Sequence, residues 1–458
     1  MSPPLESLAT CFQGLLPAQL FTCSRDGVPN AAYLSHVDYV DSSHVALSFQ
    51  FFNKSRRNVA ENPNALIIVV DPDTGQGWQL RLRYVRSETE GPLFERMALR
   101  IEAIASYSGL KGIFKLRAAD IYEVLGIEPA PETQGVPSED SIDRDIRAAA
   151  QTPVFTLKAM QDLALRIQRA DCLEALVDSI LDGLDDIFGF KHSMILVPGE
   201  EPGVLVTIAT HGYPEGAGAE VRFGEGIAGL VAEARKPIRI SGLLRGILYA
   251  HAMHRAESQP DPARDRRRIP IPGLPHPQSQ LGVPLLVRGE LVGVLCLESE
   301  DRYRFHEEDK ASVELLGNYL AIAIQNMQLQ DVGEPQSEPA PPPPSAPARL
   351  TDSRHELVYY TGEEVVMIDG EYLIRSLPAK ILWRLLTTRQ SSGRDEFTNR
   401  ELRLDKSLNL PEWKDNLESR LILLRRRLEQ KCPDIRIVPT GRGRFRLAVD
   451  CAVTLATR

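Results

Sequence analysis

Between Glu334 and Pro347 the chain is dominated by proline, with an unbroken run from Pro341 to Pro344. Proline lacks the backbone N–H that a helix or a sheet ladder needs and fixes φ, so neither element runs through such a segment. An extended, semi-rigid spacer is expected there, with the chain on its two sides building separate cores. A second stretch rich in Pro, Glu, Ser and Asp, residues 129–154, divides the longer side in the same way. With 458 residues there is room for three units of ordinary domain size, about 100 to 200 residues each. The expected division is a unit over 1–128, a linker over 129–154, a unit over 155–331, the spacer over 332–349 and a unit over 350–458.

The last unit carries the densest chemical pattern. Taking Pro411 as a first helical residue, Trp413, Leu417, Leu421, Leu424 and Leu428 fall at the spacing that lays one helix face on a core. At about 100° per residue the opposite face carries Asn416, Ser419 and Arg426, with Lys414, Arg420, Arg425 and Arg427 on its flanks. Cys432-Pro433-Asp434 ends the helix and Ile435 to Val438 reads as a strand. Gly441-Arg442-Gly443-Arg444 is a turn, and Phe445 to Leu447 the returning strand. A basic helix with an arginine-tipped hairpin can meet phosphate, provided that its cations are presented outward.

Net charge is −9, which by itself disfavours a nucleic-acid partner. The sum hides an asymmetry. From Thr351 onward there are 20 Lys+Arg and 16 Asp+Glu, so of the totals of 53 and 62 the preceding part holds 33 and 46. The last unit is therefore near +4 and the rest near −13, and the positive charge sits with the basic helix and hairpin.

This order of elements resembles the winged-helix effector domain of OmpR/PhoB-type transcription regulators over residues 350–458. Val365 to Tyr372 is similar to that family's leading strands, Leu377 to Thr387 to its first helix, and Thr398-Asn399-Arg400-Glu401-Leu402 to its second. Leu424-Arg425-Arg426-Arg427-Leu428 resembles the end of its recognition helix, and Val438 to Arg446 its wing. The resemblance implies double-stranded DNA as partner, with Lys414, Asn416, Ser419, Arg420, Arg426, Arg442 and Arg444 as the contacting residues. Leu423 stands where the family usually has an arginine and Phe445 replaces the wing tyrosine, so base preference is not carried over.

Residues 1–128 read mostly as strand, with Gln19 to Ser24, Asn30 to His36, His44 to Phe52, Ala65 to Val70 and Trp78 to Val85 as segments and Arg56 to Glu61 as a short helix. Phe49 to Arg57, then Asn62-Pro63-Asn64-Ala65 and Gln79-Leu80-Arg81, resemble the motifs of pyridoxamine-phosphate-oxidase-like split β-barrels. That resemblance implies FMN as a possible cofactor, its phosphate held by Ser55, Arg56 and Arg57, with Gln79 as a further cofactor-binding candidate. Two departures stand against it. No arginine occurs between Asp26 and Asn53, where the family supplies another phosphate ligand, and Tyr84 replaces a glycine beside the flavin ring.

Residues 172 to 330 resemble GAF domains, the small-molecule-binding modules of signalling proteins. The carriers are Gly224-Glu225-Gly226-Ile227-Ala228-Gly229 with Pro237, Ser279 to Leu285, Gly289 to Leu295, and Phe305 with Asp309 through Asn326. These are scaffold glycines and core apolar residues, which fix a fold and leave the ligand open. The variable stretch Leu243 to Pro275 is the expected lid, with Tyr249, His251, Met253 and His254 as candidate pocket residues for an unidentified small molecule. Before the GAF motifs one long helical stripe, Leu163, Ile167, Leu173, Leu176, Ile180 and Leu184, runs from Phe155 to Phe188. Together with an apolar closing helix around Leu316 to Met327, it suggests a homodimer seam.

The six cysteines are scattered without a C-x-x-C pair, which favours packing or free thiols over a metal or cluster site. No apolar run approaches the roughly 20 residues of a membrane helix, and Met1-Ser2-Pro3-Pro4 is unlike a signal peptide, so no membrane and a cytoplasmic location are expected. The expected architecture is multidomain α+β: a split β-barrel, a GAF α/β sandwich with flanking long helices, and a winged helix-turn-helix. The expected function is a ligand- or redox-responsive DNA-binding regulator. The alternatives are an FMN-dependent oxidoreductase with an accessory C-terminal module, and a C-terminal module that binds protein.

Overall fold

The computed structural model describes residues 3–8, 11–13, 18–34, 36–50, 54–71, 76–107, 115–130, 157–170, 172–213, 216–241, 272–275, 277–301, 304–333, 353–408, 417–441 and 443–458. Both expected linkers lie mostly outside them, as does the lid with Tyr249, His251, Met253 and His254. Among the described residues no helix is long and apolar enough to cross a membrane.

The first sheet takes seven strands: β1 (Ala18–Cys23), β2 (Pro29–Leu34), β3 (Val37–Asp41), β4 (His44–Phe49), β5 (Asn64–Val70), β6 (Gly77–Glu88) and β7 (Ala118–Pro129). Their order is β2-β1-β5-β6-β7-β4-β3, every neighbouring pair being antiparallel. Alternating side chains such as Leu20, Val45, Leu47, Ile67, Leu80 and Leu82 fill one core, as the period of two requires. Helix α1 (Lys54–Glu61) packs on β1 and β2, and α2 (Pro92–Tyr107) reaches out to the next unit.

That unit is built on a six-stranded sheet of order β10-β9-β8-β13-β12-β11. Its strands are β8 (His192–Pro198), β9 (Val204–His211), β10 (Glu220–Arg222), β11 (Ile238–Ser241), β12 (Ser279–Val287) and β13 (Glu290–Ser299). Both faces are covered, which explains why the strands are nearly continuous apolar runs. Ile195, Val197, Leu281, Val283 and Leu295 face helices α3 (Leu157–Arg169), α4 (Leu173–Phe188) and α6 (Glu307–Gly333). Met194, Leu196, Val294 and Cys296 face α5 (Gly226–Ala234) and the Leu99–Ala103 turn of α2.

The expected single helix from Phe155 to Phe188 is two helices, α3 and α4, separated at Ala170 to Cys172. A Cβ on Gly183 would overlap the Leu163 side chain, so that glycine lets the two helices close on each other. Leu163, Leu176, Ile180 and Leu184 are each 0% exposed within one chain, so this stripe needs no second chain to cover it. The closing helix differs, for α6 leaves Leu315, Tyr319 and Ile322 about half exposed along one face.

In the last unit β14 (Arg354–Tyr360), β15 (Val365–Ile368), β16 (Glu371–Arg375) and β20 (Ala452–Thr457) form a sheet of order β16-β15-β14-β20. The final strand, which the sequence reading did not anticipate, runs parallel to β14. Helices α7 (Ser376–Ser392), α8 (Asn399–Leu404) and α9 (Leu417–Lys431) follow, with β17 (Glu396–Thr398), β18 (Ile435–Gly441) and β19 (Arg444–Val449) as a second sheet of order β17-β19-β18. Thr398 and Glu401 form a capping box that starts α8. The stretch from Pro411 to Asn416, expected as the first turns of α9, lies outside the described residues.

Candidate functional site

Helix α9 packs as its spacing predicts on one side. Leu417, Leu421, Leu424 and Leu428 join Leu382, Leu385 and Phe445 in the core of the last unit. The other side is also covered, and this corrects the expectation that it looks to solvent. Ser419 is 1% exposed, Arg420 6%, Ile422 2% and Leu423 5%. What covers them is the GAF-like unit: Ile422 enters its helical core, and Leu423 shares a core with Val206 and Ala217.

The basic residues of this face meet groups of the same chain. Arg425 pairs with Glu174 and Arg426 with Asp178, two carboxylates four residues apart on α4. The Arg420 guanidinium donates to the Pro198 carbonyl at 3.3 Å, and that of Arg427 to the Leu373 carbonyl at 3.0 Å. Beside them Glu200 accepts the Leu377 N–H at the start of α7 at 2.9 Å. Burial raises the Glu200 carboxyl above its ordinary range, against the pull of Arg420. Arg375 and Glu220 add a further pair across the same contact.

The physical reason is legible in retrospect. Ile422 and Leu423 place apolar surface in the middle of the polar face, and such surface is driven out of water. Leu423 is the departure from the winged-helix pattern, and it is spent on this contact. Beside it lies an interunit cavity of about 440 Å³, lined by Leu173, Glu174 and Met327 from one unit and Glu418, Arg425 and Arg444 from the other. Arg444 is therefore at the cavity, while Lys414, Asn416 and Arg442 lie outside the described residues. Glu174 and Asp178 were missed by the sequence reading, although their helical spacing on α4 was visible.

A second polar cluster lies on the α5 side of the GAF-like sheet. Gln280, Glu298 and His192 are register neighbours across β12, β13 and β8. Glu298 is only 7% exposed. It accepts from the Tyr213 hydroxyl at 2.9 Å, the Leu274 N–H at 2.8 Å and the Gln280 amide at 2.5 Å. The Gln280 Oε1 is buried with no hydrogen-bond partner among the described residues. An acceptor-rich floor of this kind suits a ligand that donates N–H or O–H groups. The signal in the sequence was one acidic residue after an apolar strand, Leu291 to Leu297, which the motif search passed over.

In the first unit Ser55, Arg56 and Arg57 lie together in the first turn of α1, and Gln79 lies apart from them on β6. Ser55 is 3% exposed and its hydroxyl accepts from Asn30 Nδ2 at 2.9 Å. Arg56 lies over the Phe49 ring, 4.2 Å from its centroid, and acts on Asp120, a carboxyl that burial raises above its ordinary range. Arg57 is exposed. Helix α1 meets β1 near Thr22, through Asn58. Gln79 instead continues the row of Gln19 and Ile68, three residues along β1, or about 10 Å. Tyr84 packs edge-on against Tyr122 at 5.5 Å. Titrating FMN into the purified protein tests the expected site: stoichiometric quenching of flavin fluorescence supports it, and unquenched fluorescence removes it.

Comparison with known proteins bears on the central unit. Residues 171–325 match the family model described as GAF domain. No curated protein sequence matches the chain. Among solved structures, the chain is similar to the GAF domain of a phosphoenolpyruvate-protein phosphotransferase from Coxiella burnetii, at 22% identity over 38% of this chain and 96% of that one, TM-score 0.29. It is also similar to an FMN-binding protein from Syntrophomonas wolfei, at 15% identity over 28% of this chain and 90% of that one, TM-score 0.23. A third is free methionine-R-sulfoxide reductase from Neisseria meningitidis, at 18% identity over 38% of this chain and 95% of that one, TM-score 0.29. The chain is thus a mixed α+β protein of several sheets, and the part of it over residues 171–325 is a GAF domain.

Proposed function

We propose that this chain is a GAF-based sensor whose C-terminal unit is a winged-helix DNA-binding output, its reading helix held against the sensor. The observation that carries the reading is the order of α7, α8, α9 and the β18–β19 hairpin in the last unit, and the pairing of Arg425 with Glu174 and Arg426 with Asp178 makes DNA binding depend on undocking. Carboxylates on α4 occupy the cations that would otherwise meet phosphate, so docking and DNA binding are mutually exclusive. A ligand that favours the undocked arrangement would then raise DNA affinity, because apparent affinity scales with the fraction of competent molecules. The Gln280–Glu298 floor is where such a ligand would act, and a dimer formed through the open face of α6 would present two output units to paired half-sites.

Gel shift of the full chain against random-sequence duplex, at about 50 and 200 mM salt, tests the DNA reading, since phosphate contacts weaken steeply with salt. Replacing Arg442 and Arg444 together with alanine is expected to weaken binding at least tenfold on every sequence, while Asn416→Ala changes which sequences are preferred. Unchanged binding by the double variant would remove the hairpin from the interface.

A second reading is favoured by Ile422 and Leu423, whose burial suits a permanent contact. On it the last unit is a protein-docking module, and no variant binds DNA in a salt-dependent way.

A further inference from the structure

The last unit also gathers a set of side chains that DNA binding does not use. His355 on β14, Asp434 in the turn between α9 and β18, and Cys451 in the turn between β19 and β20 each offer one donor atom, and all three atoms lie within 4.8 Å of one another. They come from three separate segments of the chain, so only the tertiary fold assembles them, which is why no spacing pattern announced them in the sequence. We propose that His355, Asp434 and Cys451 bind one divalent transition-metal ion of the zinc class, with Asp369 as the residue that orients the histidine.

The arrangement of the imidazole is the strongest support. His355 Nδ1 lies 2.6 Å from Asp369 Oδ2, and the other oxygen of that carboxylate is fixed by the Glu356 N–H at 2.9 Å. With Asp369 holding a proton on Nδ1, an ion that displaces the proton of Nε2 would find that nitrogen's lone pair on the other side of the ring. That nitrogen points to Asp434, at 3.4 Å from its Oδ2, and a carboxylate behind a ligating histidine is how metal sites fix ring orientation and basicity. Asp434 is in turn held by the Ser353 hydroxyl at 2.6 Å. An ion pair alone would account for the histidine and the two aspartates. Cys451, 5% exposed in the core of the unit, adds a sulfur that converges on the same point.

Imidazole, thiolate and carboxylate together suit zinc and its neighbours and not calcium or magnesium, which take oxygen only. His355 and Asp434 keep 20% and 26% of their side-chain surface in solvent, which leaves a path for the ion and a position for water. The bound ion would tie the end of α9 to β14, the first strand after the proline spacer, and to the start of β20. This assignment stands whether or not α9 reads DNA.

The test uses the full chain, stripped with a chelator and titrated with cobalt(II). One equivalent should bind and give a thiolate-to-cobalt charge-transfer band in the near ultraviolet, which zinc(II) displaces. Cys451→Ser should abolish the band, and Asp369→Asn should keep it while requiring about 10 to 100 times more cobalt. Since a variant can fail by misfolding, thermal unfolding of the unaltered chain is the second measurement: zinc should raise its Tm, magnesium should not, and His355→Gln should lose the rise. Absence of the band in the unaltered chain, its survival in Cys451→Ser, or equal effects of zinc and magnesium would overturn the assignment.

Discussion

With Glu174→Arg and Asp178→Arg combined, amide exchange along Leu417–Lys431 is expected to accelerate about 100-fold. The substitutions lie on the GAF side, so every residue of the output unit is kept. Two attractive pairs become repulsive ones. Asp178 keeps half of its side-chain surface in solvent and Glu174 a quarter, so each pair is discounted for screening to about 1 kcal/mol. The two pairs together are about 2 kcal/mol and repulsion adds about half as much again, which brings the shift to roughly 3 kcal/mol, or about two decades in the docked-to-free ratio. The Ile422 and Leu423 contacts remain and set the residual docking. Exchange measured by mass spectrometry on the full chain checks this, and protection equal to that of the unaltered protein would mean that the pairs decorate a contact made by apolar burial alone.

Gly229→Ala is expected to cost the GAF domain about 3 kcal/mol, although it adds one methyl group. Gly229 sits in α5, and a Cβ there would overlap the Arg222 carbonyl oxygen and crowd the Gly224 nitrogen. Both neighbours are backbone, so neither can swing aside. For a unit of this size the loss corresponds to a fall in Tm of about 6 to 12 °C. Gly289→Ala is the contrast. Its φ is +81°, yet nothing lies within 4 Å of an added Cβ, so only the backbone conformation is penalised, by about 1 kcal/mol. Calorimetry on the two variants checks the order. Equal melting temperatures would contradict the close approach of α5 to the chain at Arg222.

The same contrast explains what the sequence made readable. Strands such as β5, β12 and β13 announce themselves because a buried sheet needs unbroken apolar runs, and the GAF glycines because backbone packs directly against them. The break between α3 and α4 left a trace that the reading as one helix overlooked, since the six residues from Ile167 to Leu173 turn the apolar stripe by about 240°, while the contact that closes the pair, Leu163 against Gly183, is tertiary. Strand β20 was hidden because its partner β14 lies nearly a hundred residues earlier. The candidate site was half readable. Arginines on α9 could be counted, but not the carboxylates they meet some 250 residues away. Ile422 and Leu423 were the local clues, apolar side chains on a face expected to be polar, and their meaning depended on a surface that only the folded chain brings opposite.

The central claim is that the α9–hairpin surface binds DNA once released from α4. The direct test is the salt dependence of random-duplex affinity for the Glu174→Arg, Asp178→Arg chain. If the claim holds, this chain binds at least tenfold tighter than the unaltered one, and log K falls against log salt with a slope of about −4 or steeper, one phosphate contact contributing about −0.9. Undocking seen by amide exchange, with no DNA binding at either salt concentration, would contradict it and leave the C-terminal unit a protein-docking module.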